Sequence, residues 1–311
     1  MGTAATNNVA DFAVIPTGAA LGAEVRGVDL SQPMDAALKQ LLREAWAEHL
    51  VLLFRDQRIS DADILEFCQV YGGLQIPAAR RYWEAKGHKP GDFGVSKIPE
   101  ISELSNLGED GKPTQDNGDL GSSEVVWHSD NSYVEVPPAG SFLYALTIPG
   151  DGSGDTSFNN QYLAYESLPE STRQRIAGLR QVHDTSRNSA GKLRPTAKLP
   201  TTPEEVEGPE HPLVRVHPVT GRKALYLGRR RVWPSNYVVG LDNDESEALL
   251  DELWAAATAP ELAWTHHWRV GDALLWDNRC AMHYRTEVNP TLPRIMHRAV
   301  IKGEPIIAAS A

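Results

Sequence analysis

The second half of the chain, from Val125 onward, consists mainly of short apolar segments separated by turn-forming residues. Segments of strand length are VVWHSDNSY (125–133), AGSFLYALTI, DTSFNNQ, LVRVHP, KALYL, LAWTHHWRVGDALLWDN, MHYRTE and RIMHRAVIKG. Helices are predicted within this series at SLPESTRQRIAGL and DNDESEALLDELWAAAT. About eight short antiparallel strands with helical support predict a jelly-roll barrel.

The first seventy residues add helices to this picture. The segment from Asp35 to His49 spaces its apolar residues three and four positions apart, as an amphipathic helix does. Leu50–Gln57 is an apolar run with a polar end, which predicts a buried strand. Ser60 caps a second predicted helix that ends before Gly72, with Asp63 completing an approximate capping box. The predicted fold class is therefore mainly β with flanking helices (α+β), built on a double-stranded β-helix or jelly roll.

Two stretches break this pattern. Residues 76 to 123 are rich in Gly, Pro, Asp and Lys and contain one strand-like piece, EISELSN, and a second loop-rich stretch runs from about 184 to 211. A long irregular segment inside a compact protein is usually a functional lid or a disordered insert. We therefore expect a single domain over 1–311 with lid-like inserts at about 76–123 and 184–211.

Composition limits the partners of the chain. Its 311 residues are 41% hydrophobic and 23% charged, and its formal net charge is −11. This charge argues against nucleic-acid binding, which normally needs a basic face, but a small anionic substrate could still bind in a locally basic pocket. No apolar run approaches the roughly 18 residues of a membrane span, and the N-terminus lacks the features of a signal peptide. Cys68 and Cys280 are expected as reduced thiols, which predicts a cytoplasmic protein. The net charge and the lack of a long apolar run predict that it has no nucleic-acid or membrane partners.

His128 and Asp130 are separated by one residue in the segment VVWHSDNSY. On a strand, residues i and i+2 point to the same side, so both side chains would face the barrel interior. Two imidazoles and one carboxylate on one face of an iron leave positions open for other ligands. Taken alone, the pair is more typical of a strand end that carries two solvated polar residues than of a metal site.

A third ligand would have to come from another strand, and several histidines of the sequence are candidates for it. His266 and His267 are adjacent and so face opposite sides of a strand. His211 and His217 lie beside prolines near turns, which favours a turn or core position for each. His283 follows an apolar strand and a tight Asp-Asn turn, at the start of another strand.

The order and spacing of four segments resemble those of a known family. WHSD, GDTSF, LLWDNRCAMHY and PRIMHRAVIKGEP are similar to motifs of the taurine dioxygenase and 2,4-dichlorophenoxyacetate dioxygenase (TauD/TfdA) family of non-haem iron(II), 2-oxoglutarate-dependent oxygenases. LGAEVRGVDLS and HPLVRVHPVTGRKALYL are also similar to this family, so the resemblance covers about residues 15–307. It implies Fe(II) as the metal, 2-oxoglutarate as cosubstrate and O₂ as oxidant.

The resemblance also implies residue roles, with no catalytic side chain beyond the iron centre. His128, Asp130 and His283 correspond to the iron ligands. Thr156 and Arg294, the latter eleven positions after His283, correspond to the residues that bind the distal carboxylate of 2-oxoglutarate. The retained aspartate favours hydroxylation over halogenation, because halogenating relatives carry a small residue at this position.

Arg298 lies four positions after the arginine for the distal carboxylate. It corresponds to a family residue that lies near the iron-bound carboxylate and often binds an anionic substrate group. On a strand, its even spacing from Arg294 would place both guanidinium groups on one face.

The substrate side departs from the taurine pattern, since Pro77 and Arg80 replace the family's histidine and tyrosine, and Glu124 replaces its asparagine. The candidate substrate-binding residues are Arg80, Tyr82, Glu124, Asn131, Lys192 and Arg298. They favour a small organic acid, namely an alkylsulfonate, an aryloxyalkanoate or an amino-acid derivative, with hydroxylation at carbon. A desaturating or C–X-cleaving member of the family, a non-catalytic jelly-roll binding protein and a zinc hydrolase are the alternatives. The resemblance also implies a homo-oligomer, either a dimer or a tetramer.

Overall fold

The computed structural model describes residues 7, 9–77, 80–85, 87–92, 95–194 and 197–310. The strands, numbered in chain order, are β1 (Ala13–Pro16), β2 (Ala23–Arg26), β3 (Val51–Phe54), β4 (Leu74–Gln75), β5 (Ile101–Ser105), β6 (Val125–His128), β7 (Gly140–Thr147), β8 (Thr156–Asn160), β9 (Arg180–His183), β10 (Glu210–Pro212), β11 (Val214–Val216), β12 (Lys223–Leu225), β13 (Asn236–Val238), β14 (Ala263–His266), β15 (Ala273–Asp277), β16 (Ala281–Arg285), β17 (Ile295–Ile301) and β18 (Ile307–Ala308). The helices are α1 (Ala36–His49), α2 (Asp61–Gln69), α3 (Arg80–Ala85), α4 (Gln161–Ser167), α5 (Glu170–Ile176) and α6 (Asn243–Ala257).

Two facing sheets form the jelly roll. The larger sheet has the order β1-β2-β3-β15-β7-β17-β4, with β5 also paired to β17, and the smaller has the order β14-β8-β16-β6. All pairs in these two sheets are antiparallel except β2 with β3. Side chains of both sheets meet between them, as where the Phe158 ring lies 5.5 Å from the Trp276 ring. The interior of this barrel is where the candidate site lies.

β15 is buried on both faces of the larger sheet. Leu274 and Trp276 belong to the core between the two sheets, whereas Ala273 and Leu275 belong to the core on the other face, beneath α1 and α2. A strand buried on both faces carries a continuous apolar run instead of an alternating one. The helices therefore cover the larger sheet and leave the barrel interior to the site.

The two N-terminal helices begin where the sequence predicts. The Asp35 side chain accepts the Leu38 backbone N–H, and Ser60 and Asp63 form a reciprocal capping box at α2. In DTSFNNQ the strand ends at Asn160, whose side chain caps α4, so a helix begins where the sequence pattern predicts only a strand. Among the described residues, no helix has both the length and the apolarity needed to cross a bilayer.

The predicted strand over 125–133 is shorter in the structure. β6 ends at His128, where the next backbone N–H, that of Ser129, bonds to the Gly228 carbonyl. Asn131 has a φ of 49°, a left-handed conformation that does not continue a strand. Asp130 therefore lies in a turn, and its orientation depends on tertiary contacts instead of strand alternation.

Candidate active site

The two histidines lie on neighbouring strands of the smaller sheet. His128 is the last residue of β6 and is the direct cross-strand partner of His283 on β16. Their ring centroids are 4.1 Å apart, and both rings point into the barrel interior. The pairing of two strands far apart in sequence thus supplies the second imidazole that the HxD motif lacks.

Asp130 completes a set of three buried ligand atoms. Its Oδ1 lies 3.6 Å from His128 Nε2 and 3.9 Å from His283 Nε2, and the three ligand atoms lie within 4.8 Å of one another. His128 Nδ1 lies 2.8 Å from the Val126 carbonyl, which can only accept, so this nitrogen carries the proton and Nε2 keeps its lone pair. The donor set fits a non-haem Fe(II) ion, which two imidazoles and a carboxylate bind on one face.

The carboxylate is held from two directions. Ser141 Oγ and Arg298 Nη2 each lie 2.6 Å from Asp130 Oδ2, which leaves Oδ1 turned toward the two imidazoles. Asn278 fixes the backbone of the same residue, because its Oδ1 accepts the Asp130 N–H at 2.6 Å and its Nδ2 donates to the Asp130 carbonyl at 3.0 Å. These partners replace the strand geometry that Asp130 lacks.

The electrostatics of the three residues suit metal binding. Burial lowers the pKa of His128 and, together with the neighbouring imidazole, lowers the pKa of His283 well below its ordinary value. Burial raises the pKa of Asp130, but Arg298 and the two histidines outweigh it, so this pKa lies well below its ordinary value. At neutral pH the set therefore holds two neutral imidazoles and one ionised carboxylate, the forms that bind a metal ion.

A cavity of about 530 Å³, including the part that opens to solvent, extends from the triad. Its wall includes six of the residues predicted from the sequence: His128, Asp130, Thr156, His283, Arg294 and Arg298. The remaining lining residues are Leu104, Leu120, Val125, Leu143, Ser189, Trp276 and Arg285. The cavity thus combines an apolar wall with three guanidinium groups and one carboxylate.

Thr156 and Arg294 line the same cavity as the Asp130–Arg298 pair. Thr156 Oγ1 accepts a hydrogen bond from Trp268 Nε1 at 2.9 Å, so its own proton is available to a ligand. Arg294 is buried, and its guanidinium makes no hydrogen bond within the described part of the chain. Burial, and then the charge of Arg285, lower the pKa of Arg294 well below its ordinary value. A carboxylate group could pair with this guanidinium and accept the threonine proton.

The predicted substrate residues are only partly brought together. Arg298 lines the cavity and pairs with Asp130. Asn131 is buried directly after Asp130, and its Oδ1 accepts a hydrogen bond from Tyr133. These residues are therefore placed close to the three ligand atoms.

Four of the candidates, Asn131, Arg80, Glu124 and Lys192, are not among the residues that line the cavity. Arg80 pairs with Glu84 and donates to the Ser96 carbonyl, and Lys192 pairs with Asp116 at 2.5 Å. Glu124 accepts a hydrogen bond from the Tyr284 hydroxyl, on the face of the smaller sheet away from the triad. The side chain of Tyr82 lies outside the described part of the structure. Their roles in substrate binding stay predictions.

Arg285 is a lining residue that the sequence analysis missed. It lies two positions after His283 on β16, and strand alternation places both side chains on the same face of the sheet. Trp276 belongs to the same category, because strand alternation in β15 turns it inward together with Leu274. Ser189 comes from the second insert, and no local pattern predicts its position.

A second group of possible ligand atoms, His217, Asp277 and Cys280, is structural. His217 Nδ1 accepts two backbone N–H groups at 3.2 Å, so its proton resides on Nε2 and is donated to Asp277 Oδ2 at 3.0 Å. Arg279 holds the same carboxylate through two nitrogens. Both histidine nitrogens are thus engaged, and this cluster orders the turn between β15 and β16.

A jelly roll with two imidazoles and one carboxylate in its interior defines the class of non-haem iron(II) oxygenases. The profile of the family described as "Taurine catabolism dioxygenase TauD, TfdA family" matches residues 13–300. The chain therefore belongs to the TauD/TfdA family.

Individual proteins agree with this membership. The (S)-phenoxypropionate/alpha-ketoglutarate-dioxygenase of Sphingobium herbicidovorans is 32% identical over 305 residues, which are 94% of this chain and 96% of that protein. The alpha-ketoglutarate-dependent 2,4-dichlorophenoxyacetate dioxygenase of Cupriavidus pinatubonensis is 30% identical over 292 residues, 92% of this chain and 96% of that protein. The crystal structure of AAD-2 in complex with Mn(II) and N-oxalylglycine matches with a TM-score of 0.76 at 28% identity, over 95% of this chain and 98% of that one.

These comparisons confirm the predicted fold, enzyme class and cofactors. The protein is an oxidoreductase, a dioxygenase that depends on Fe(II), 2-oxoglutarate and O₂ and acts on a small organic molecule.

Proposed function

We propose that His128, Asp130 and His283 bind the Fe(II) ion, and that Thr156 and Arg294 bind the distal carboxylate of 2-oxoglutarate. The observation that carries this proposal is the convergence of five side chains, from four separate parts of the chain, on one cavity. The two neutral imidazoles and the ionised carboxylate supply the ligand forms that Fe(II) prefers. The buried guanidinium and the available threonine proton supply the donors that a carboxylate needs.

Each residue has a defined task in the reaction. Bound Fe(II), with 2-oxoglutarate and O₂, supplies the oxidising power that places one oxygen atom in a substrate C–H bond and the other in succinate, with loss of CO₂. Arg298 and Ser141 hold Asp130 ionised and keep its Oδ1 toward the metal position. The apolar side chains of Leu104, Leu143 and Trp276 line the cavity and limit the access of water to the metal position.

We further propose that the substrate is a 2-aryloxyalkanoic acid. The names of the two relatives specify phenoxypropionate and 2,4-dichlorophenoxyacetate, and this cavity offers apolar wall for an aromatic ring and guanidinium groups for a carboxylate. Hydroxylation of the carbon between the ether oxygen and the carboxylate gives a hemiketal or hemiacetal. This intermediate breaks its C–O bond, and the ether oxygen takes the hydroxyl proton, which yields a phenol and a 2-oxo acid.

The experiment is a turnover screen with two products measured. The purified protein with Fe(II), 2-oxoglutarate and O₂ is offered both enantiomers of 2-phenoxypropionate, 2,4-dichlorophenoxyacetate, taurine, a linear alkylsulfonate and an N-acyl amino acid. We expect succinate and phenol in equal amounts from at least one aryloxyalkanoate, and neither product above background from His283→Ala. Succinate coupled only to a sulfonate or an amino-acid derivative would refute the substrate class, and full activity of His283→Ala would refute the metal site.

The other expectations from the sequence concern the whole molecule. We propose a single domain over 1–311, a cytoplasmic location, no nucleic-acid or membrane partner, and a dimer or tetramer. The net charge of −11 and the family resemblance support these proposals. Sedimentation velocity of the purified protein measures the oligomeric state directly.

A further inference from the structure

Arg285 is a third guanidinium in the cavity, and the roles proposed for Arg294 and Arg298 give it no function. It lies on β16, where it is the direct cross-strand partner of Thr156 on β8. Directly opposite residues of an antiparallel pair carry their side chains on the same face, with Cβ atoms about 5 Å apart. Arg285 is therefore a neighbour of the threonine at the proposed cosubstrate end of the cavity.

The Arg285 side chain donates hydrogen bonds to the backbone but forms no ion pair in the described part of the chain. Its Nη2 donates to the backbone carbonyls of Gly121, at 3.2 Å, and Ser123. Its Nε is buried without a partner, and Arg285 forms no ion pair with any described residue. Asp119, which lines a neighbouring pocket together with Arg285, acts on this charge from beyond ion-pair distance. The residue is only 9% exposed, and its guanidinium is charged at neutral pH. A buried cation of this kind calls for an anion in the cavity.

Two like charges lie at this end of the cavity. Arg285 and Arg294 line the same cavity, and neither guanidinium forms an ion pair with a carboxylate in the described part of the chain. The third guanidinium, that of Arg298, is already paired with Asp130 on the side of the metal ligands. An anionic group placed beside Thr156 would interact with both unpaired cations at once.

We infer that Arg285 is a second guanidinium for the distal carboxylate of 2-oxoglutarate, which it binds together with Arg294 and Thr156. This inference rests on the proposed position of the cosubstrate. It makes Arg285 a specificity-determining residue, since a 2-oxo acid without a second carboxylate would leave both cations unpaired. The placement beside Thr156, together with the pairing of Arg298 to Asp130, argues for the cosubstrate over the organic acid as its ligand.

The test is equilibrium binding without turnover. Calorimetric titration of the anaerobic Mn(II)-loaded protein compares 2-oxoglutarate and N-oxalylglycine with 2-oxobutyrate, which lacks the distal carboxylate. We expect Arg285→Ala to weaken binding of the two dicarboxylates about tenfold or more and to leave 2-oxobutyrate unchanged. Arg285→Lys, which keeps the charge, is expected to recover part of this loss. Arg230→Ala, which removes an arginine paired with Glu247 outside the cavity, is the matched control and is expected to bind like wild type.

Each outcome decides one question. Wild-type protein that binds no 2-oxoglutarate with Mn(II) would contradict the proposed site as a whole. Wild-type binding with equal affinity in Arg285→Ala would overturn the role of Arg285 alone, as would a variant that changes only the KM of the organic acid. Equal weakening of all three ligands would indicate a structural role and would also overturn it. If Arg285→Ala does not fold, Arg285→Gln, which can still donate to the Gly121 carbonyl, gives the same comparison.

Discussion

Replacement of Asn278 by alanine tests how the structure orients Asp130. The Asn278 side chain is fully buried and makes three hydrogen bonds to backbone groups: it accepts the Asp130 N–H at 2.6 Å and donates to the carbonyls of Asp130 and Pro138, both at 3.0 Å. Asn278→Ala leaves one N–H and two carbonyls without a partner. Each such buried group costs about 1–3 kcal/mol, and since water can enter the vacated space, we expect a total loss of about 3–6 kcal/mol of unfolding free energy.

The same substitution releases the turn that carries the metal-binding carboxylate. Residues that orient metal ligands without touching the metal typically change metal affinity by about 10- to 100-fold when mutated. Urea denaturation of the metal-free protein measures the first effect, and a Mn(II) binding isotherm measures the second. We expect both to change together, because one side chain controls both the packing of the turn and the position of the carboxylate.

Asn236→Ala is the matched control for this experiment. Asn236 is also buried, but it donates one hydrogen bond, to the Val182 carbonyl at 2.7 Å, and it lies on β13 outside the cavity. We expect a smaller loss of stability, about 1–3 kcal/mol, with unchanged Mn(II) affinity. An Asn278→Ala protein that unfolds like Asn236→Ala and binds Mn(II) like wild type would show that Asp130 is oriented by other contacts.

Two further predictions concern the surroundings of the site. Gly154 has a φ of +83°, and an added Cβ would lie 3.1 Å from Arg294 Cδ, whereas Gly152 has a φ of +77° with open space around its Cβ position. Both alanine variants should lose about 1–2 kcal/mol from backbone strain, but only Gly154→Ala should weaken 2-oxoglutarate binding in a calorimetric titration; equal affinities would exclude contact with the arginine. The hydrogen bond to Glu124 raises the pKa of Tyr284 to about 12 by favouring the protonated phenol. Glu124→Gln should therefore lower this pKa toward its ordinary value in an ultraviolet alkaline titration, and an unchanged tyrosine titration would contradict the bond.

The parts of the site that depend on residue type and strand pairing could be predicted from the sequence. Spacing alone does not decide which of several histidines is the third ligand, and the family resemblance selects His283. In the structure, the pairing of β16 with β6 places it opposite His128. The helix caps at Asp35 and Ser60 are local, because the side chain and the backbone N–H that it accepts lie three residues apart. Such features need no knowledge of the rest of the chain.

Asp130 shows where local reasoning stops. Strand alternation predicts the correct inward direction for its side chain, but for the wrong reason, since β6 ends before it. Its orientation comes from Asn278, 148 positions away in the chain, and from Ser141 and Arg298 on two other strands. No pattern within a few residues of Asp130 contains these contacts.

Four of the arginines that are buried or partly buried differ in whether the protein supplies a carboxylate partner. Arg279 and Arg298 are paired with carboxylates of the protein, Asp277 and Asp130, so their charges are balanced once the chain folds. Arg285 and Arg294 form no ion pair in the described part of the chain, and only the more distant Asp119 and Asp155 favour their charges. Burial of a cation without a paired anion opposes folding. A ligand that binds only the folded state stabilises it by about 2.7 kcal/mol at a concentration one hundred times its Kd. The dicarboxylate cosubstrate should therefore stabilise the fold more than a monocarboxylate of the same length and concentration, because only its distal group can pair with these two cations.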